Sequence, residues 1–379
     1  MRRGYFVSLV ACGWLFACSP IGGTTWLRAH AAGDRAYSAG RFDEATLAYA
    51  HAAEVAERPR DRDESLYAAA EASIRAGHVD DALKRFDALA AEKPIGDRSI
   101  RAAYRAAQIR LAHGQVDRAY RDLETIYKTA PDHGIARHAL FAVIDRIDAQ
   151  GGHAAAIAAL AKLYAPNVNN RLGPEILYAL AGREEAIGAA REALDHYLAI
   201  ADRYPYPTGA LWDDALWHAS LLQESLGEIK AAVASLERML SVHETSDGNG
   251  SYDRPRMPAA ALRLAELQRD RLDDHKAARR SFARMRSTFP KSVLVARAAF
   301  AQAQLAHADG DDGEACDLAR MLLSQHADTR WARRSDEACP AVAEQAGKLR
   351  AERHAHKGKR EIKDAGKEKA AERESDADK

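Results

Sequence analysis

Eight alanines keep a beat along this chain. Ala45, Ala82, Ala119, Ala156, Ala193, Ala232, Ala278 and Ala315 follow one another at intervals of 37, 37, 37, 37, 39, 46 and 37 residues. A fixed period of this size is the mark of a supersecondary unit copied end to end, in which each copy buries its apolar face only against its neighbours. What surrounds each alanine also recurs. Five residues before it stands Gly40, Gly77, Gly114, Gly151, Gly188, Gly227 or Gly310, and only the seventh unit has Asp273 instead. Glycine there can take the left-handed conformation that ends a helix, and Asp43, Asp80 and Asp117 then read as N-caps of the next helix.

Four residues after the alanine comes a large side chain (Tyr49, Phe86, Leu123, Leu160, Tyr197, Leu236, Phe282), and three later another apolar one (Leu89, Ile126, Leu163, Ile200, Met239, Met285, Leu322). These share one helical face with the alanine. Pro94, Pro131, Pro205 and Pro290 stand twelve residues after their alanines, where a helix should stop. The small anchor lets two antiparallel helices approach closely. The pattern resembles the tetratricopeptide repeat. That resemblance covers most of the chain and implies an all-α, right-handed superhelical solenoid of about eight antiparallel helix pairs over 29–330, with 19–28 as a linker and 331–349 as a capping helix. Tyr204-Pro205 and Phe289-Pro290-Lys291-Ser292 are similar to the joints of envelope repeat proteins. Those proteins include the lipoprotein of the outer-membrane β-barrel assembly machine and the Tol–Pal-associated periplasmic repeat protein.

The N-terminus reads as an address. Arg2 and Arg3 precede an uncharged run from Gly4 to Ala17, shorter than the roughly 20 residues a membrane-spanning helix needs. It has the form of a secretory signal over 1–18. Ala17-Cys18-Ser19 resembles a bacterial lipoprotein junction, which implies lipidation of Cys18. Leu9-Val10-Ala11-Cys12 offers a second register, and cleavage without a lipid is the plainer alternative. Either way the export signal leaves Cys316 and Cys339 as an even pair, a candidate disulfide in an oxidising compartment.

Charge excludes one class of function. Fifty-five Lys and Arg against 55 Asp and Glu give a formal net charge of zero, without the basic excess that nucleic-acid binding draws on. Nucleophile elbows, phosphate-binding loops, dinucleotide glycine patterns, HExxH and CxxC are all missing from the sequence. The expectation is a non-catalytic protein without cofactor or metal. The Asp247, Asn249, Ser251, Asp253 spacing faintly resembles a calcium loop, but Tyr252 stands where the turn glycine belongs and Pro258 where the last carboxylate should be. From Lys357 to Lys379 charge dominates and only Ile362 is large and apolar, so 350–379 reads as a disordered charged tail.

Fifteen residues before the anchors lies a row of mostly aromatic residues: His30, Tyr67, Tyr104, Phe141, Tyr178, Trp217, Arg263 and Phe300. The family resemblance places this position on the first helix of each pair, facing the concave surface. Tyr67, Tyr104, Phe141, Tyr178, Trp217 and Phe300 are therefore the candidate partner-binding residues, since aromatic side chains make strong contact sites, although packing between repeats would use the same position. Nearby Glu71, Asp145, Asp148, Glu175, Asp214 and Glu224 would bias such a groove toward cationic or polar partners, or simply form a solvated face, the commoner outcome for such acids. The expected partners are other envelope proteins or peptide segments, with the membrane reached through the N-terminal lipid. Glycan or peptidoglycan binding by the same rings is the alternative. A hydrolase using Asp145 and Asp148, three apart on a helical face, is a remainder.

Overall fold

The computed structural model describes residues 23–242 and 255–353. The signal segment with Cys12 and Cys18, the Asp247–Asp253 loop and the tail beyond 353 lie outside the described residues. Helices account for the architecture, with no strand among the described residues. Two compact units are present, Met1–Gly173 and Pro174–Lys379.

In the first unit α1 (Thr24–Ser38) pairs with α2 (Phe42–Glu54), α3 (Pro59–Arg75) with α4 (Val79–Ala91), and α5 (Asp97–Ala112) with α6 (Val116–Thr129). α7 (Gly134–Asn167) is a fourth pair run together and broken at Gly152. In the second unit the pairs are α8 (Leu172–Ala186) with α9 (Ala190–Arg203) and α10 (Trp212–Ser225) with α11 (Ile229–Leu240). After them come α12 (Met257–Asp270) with α13 (His275–Thr288) and α14 (Val295–Ala308) with α15 (Asp312–Gln325).

All eight anchor alanines have no exposed surface. A methyl at the crossing is all the space allows, and the large residue one turn on fills the next layer. Phe86, Leu160, Leu236 and Phe282 are wholly buried, as are Ile200, Met239, Met285 and Leu322. In α1 the close approach is closer still, because Gly33 faces the ring of Tyr49 where an added Cβ would stand 2.5 Å from Cδ1 and Cε1. The prolines act as expected: α4, α6, α9 and α13 end at Ala91, Thr129, Arg203 and Thr288, ahead of Pro94, Pro131, Pro205 and Pro290.

The turn inside each pair is built differently from the sequence expectation. Gly40 adopts φ 75°, and the next residue, Arg41, donates its N–H to Ala36 O at 2.9 Å, closing α1. The same bond runs from His78 to Ser73, Gln115 to Arg110, Ala189 to Glu184, Glu228 to Gln223 and Asp311 to Ala306. The residue after the glycine is thus also the N-cap of the following helix. Asp43, Asp80 and Asp117 are consequently not caps. They sit inside the first turn of α2, α4 and α6, whose N-caps Arg41, His78 and Gln115 make no side-chain cap bond. Their carboxylates still face the positive end of the helix dipole. True caps occur in the seventh and eighth pairs, where Asp274 accepts from the Ala277 N–H and Asp311 from the Glu314 N–H. Asp273 takes the left-handed position itself, φ 53°, a place aspartate tolerates better than most residues. In the fourth pair Gly152 rather than Gly151 carries the positive φ; with ψ at 179° it takes a conformation essentially reserved for glycine, not the left-handed one that caps the other helices.

Both ends of the array also depart from expectation. α1 starts at Thr24, inside the stretch read as a linker, because Trp26 is buried and donates from Nε1 to Ser65 Oγ at 2.9 Å. After α15 no single capping helix forms over 331–349. Two 3-10 turns, Ala332–Glu337 and Pro340–Val342, precede a helical stretch over 343–353, since Pro340 has no N–H to continue a helix. Cys339 is fully buried and bonded to Cys316 of α15, with Cα atoms 4.9 Å apart.

Candidate functional site

The aromatic row falls on the first helix of each pair, and the structure treats its members unequally. In the first unit Tyr67 (α3), Tyr104 (α5) and Phe141 (α7) are half-buried. Tyr67 sets its edge on Phe86 at 5.4 Å, and the Arg98 guanidinium lies 5.2 Å from its ring. Arg137 stands 5.6 Å from Phe141. His30 is half-buried as well, packed between Trp26 and Tyr49 at 5.1 and 5.0 Å with Nδ1 2.9 Å from Ser65 Oγ.

In the second unit Tyr178 (α8) and Trp217 (α10) are half-buried. Tyr178 meets Tyr197 and His218 edge-on at 5.5 and 5.8 Å, and His218 stacks on Tyr197 at 4.9 Å. Arg256 Nη1 reaches His218 Nε2 at 3.2 Å while its Nε pairs with Asp214 at 2.7 Å. Burial pushes the His218 pKa down, and the Arg256 charge adds to that against the pull of Glu185. Tyr178 and Tyr197 are raised, first by burial and then by nearby carboxylates, so both phenols stay neutral donors. One turn beyond Trp217, Leu221 is exposed on the same helical face.

Phe300 does not belong to an open surface. It is 3% exposed, beneath Trp331 at 5.3 Å and Arg334 at 5.2 Å. The segment after α15 supplies that cover, so the last member of the row is spent on the end of the array.

The acids do not form a free anionic strip. Arg105 Nε donates to Glu71 at 2.8 Å and Arg263 Nε to Glu224 at 3.0 Å, while Asp214 is taken by Arg256. Arg98 with Glu64 at 2.6 Å and Arg297 with Glu266 at 2.5 Å continue the pattern. Each pair joins the first helix of one repeat to the first helix of the next, 31 to 39 residues along. The ladder explains why Arg263 interrupts the aromatic row: it is a rung. Sequence reading missed it because the acids were picked out without their arginines, although Glu64–Arg98 and Glu71–Arg105 share one spacing of 34. The expected bias toward cationic partners is removed by this neutralisation. Asp148 Oδ1 lies 2.7 Å from His153 Nδ1, within hydrogen-bond distance, five residues along the same chain segment. No cluster of metal-ligating side chains occurs among the described residues.

Helix pairs, six of them closed by the same glycine turn, with a buried alanine in every pair, make the described chain a series of α-helical hairpin repeats. One of these carries a family signature: residues 259–292, spanning α12 and α13, match the tetratricopeptide repeat. No curated protein matches the chain. Among solved structures it is similar to Pseudomonas aeruginosa PilF, at 16% identity and TM-score 0.36 over 62% of this chain and 96% of that one. It is also similar to PilW, a type IV pilus biogenesis factor, at 15% and 0.35 over 63% and 98%. The apo form of RapI gives 10% and 0.41 over 87% and 99%.

Proposed function

We propose that this protein is a non-catalytic scaffold that holds segments of other proteins along its first-helix faces. Tyr67, Tyr104 and Phe141 serve in one unit, and Tyr178, Trp217 and Leu221 in the other. The observation that carries this reading is the recurrence of half-buried rings at one repeat position. Each ring is partly buried and partly open to solvent, and half-buried aromatic residues of this kind serve as interaction hot spots. The flanking ion-pair ladder keeps the helices aligned while presenting little net charge. Tetratricopeptide repeats bind peptides or proteins, in keeping with this role. We place the scaffold in the bacterial envelope, held on the membrane by a lipid at Cys18 and supporting outer-membrane assembly or maintenance; the basic and apolar N-terminal segment and the buried Cys316–Cys339 bridge support that address.

The docking assignment is tested by Trp217→Ala and by Leu221→Asp, the second at an exposed site that leaves the core intact. Each should weaken a purified partner at least tenfold, while Leu47→Asp on exposed α2 should not. A partner bound equally by all three variants removes the groove from consideration. For the anchor, radiolabelled palmitate should enter the wild type and not Cys18→Ala; equal labelling of both dismisses Cys18.

A further inference from the structure

Between α11, α12 and α13 lies an apolar cavity of about 170 Å³, lined by Leu240, Met257, Leu264 and Met285 among others. It sits at the seam of two core clusters, one centred on Leu236 and Met257, the other on Phe282 and Met285. The face of α12 gives Met257, Ala261 and Leu264, one and two turns apart, while α13 gives Ser281, Arg284, Met285 and Thr288 at the same helical spacing. A void of roughly 150 Å³ takes up a molecule the size of benzene, and here Ser281, Arg284 and Thr288 add a polar side to the apolar lining.

The polar wall is one-sided and cationic. Arg284 is exposed and reaches the Leu240 carbonyl only at 3.5 Å. Arg280 and Lys276 precede it by one and two turns on α13, both exposed. None of the three pairs with a carboxylate among the described residues. Arg279 of the same helix, by contrast, is matched by Asp309, Asp311 and Glu314. Arg284 at the rim of a largely apolar slot, with Arg280 and Lys276 on the same helix face and no carboxylate partner for any of them among the described residues, is complementary to an anion that carries a short hydrocarbon.

We propose that this cavity binds a small amphipathic carboxylate, an acyl chain of about six carbons seated against Met257, Leu264 and Met285 with its carboxylate on Arg284. Ser281 is not its principal donor, since its hydroxyl already donates to Gln268 at 2.7 Å. Arg284 supplies the charge, and Arg280 and Lys276 raise the local potential.

The test uses the full chain with 13C-methyl methionine, titrated with butanoate, hexanoate and octanoate, and with hexanol as the uncharged control. Hexanoate should shift the Met257 and Met285 methyl signals saturably. Affinity should rise about fourfold per methylene until the chain fills the cavity. Hexanol should bind at least tenfold more weakly, and Arg284→Gln should erase that advantage without changing hexanol binding. Ala261→Leu should block both ligands, and because Arg284 is exposed its variant stays informative if Ala261→Leu fails to fold. An absence of saturable shifts, equal binding of hexanoate and hexanol, or full hexanoate affinity in Arg284→Gln would each overturn the proposal.

Discussion

Gly33→Ala sets two ordinary effects against each other at one position. In a helix interior, replacing glycine by alanine stabilises by roughly 0.5–1 kcal/mol. At Gly33, however, the new methyl would stand 2.5 Å from two carbons of the Tyr49 ring and 2.9 Å from a third. The ring cannot retreat freely. It is 5% exposed, lies 5.0 Å from the His30 ring, and its hydroxyl donates to Asp34 Oδ1 at 2.7 Å. Overpacking of this kind costs about 1–3 kcal/mol, and weakening a hydrogen bond to a charged acceptor costs about 1.5–3 kcal/mol if the ring swings out. The steric side wins, and after the helix-propensity gain is subtracted the variant should lose up to about 2 kcal/mol net. Amide hydrogen exchange across α1 and α2 reads the loss locally. In a Tyr49→Leu background the same substitution should be neutral or stabilising. A stabilised Gly33→Ala in the wild-type background would refute the close approach on which this reasoning depends.

Replacing Cys316 and Cys339 by serine opens a loop with a sequence separation of 23. The chain-entropy model puts the loss near 3 kcal/mol, and exchange protection of α15 that is indifferent to the double substitution would contradict it. His218 and His275 should titrate on opposite sides of the ordinary histidine value of about 6.5. Burial lowers His218, so its contribution to stability is whole above that value and is lost as pH falls through its folded pKa. The hydrogen bond to Asp309 raises His275, so its contribution is whole below that value and is lost as pH rises through its folded pKa. Ring-proton NMR midpoints on the same side would refute the assignment. Asp273→Gly should relieve the left-handed backbone and raise the urea midpoint by roughly 0.5 kcal/mol equivalent; a lowered midpoint would show that the Asp273 carboxylate beside His275 matters more.

Much of the fold is legible because it depends on size at fixed spacing. An alanine that must be small and a Phe or Leu that must be large four residues later leave a periodic record in the sequence. Asp43, Asp80 and Asp117 misled because capping depends on which residue makes the helix-closing bond, and that bond moves the cap to Arg41, His78 and Gln115. Gly151 and Gly152 are indistinguishable as letters, and only the path of the chain selects the second. Of the aromatic row, Phe300 looks like Tyr178 in sequence. Its burial follows from Trp331, which lies outside the repeat and has no periodic signal to announce it.

The turns within pairs and the joints between pairs differ in slack. Within pairs, one residue both closes a helix and opens the next, so all but one of the breaks between separate helices span three residues; the one at Asp273 spans four. Between pairs the gaps run from 55–58 to the longer stretch 204–211, which lies inside the 39-residue interval from Ala193 to Ala232. The molecule therefore has rigid elbows and adjustable links. Added sequence, whether from evolutionary drift or an inserted reporter, should survive at the links and ruin the elbows.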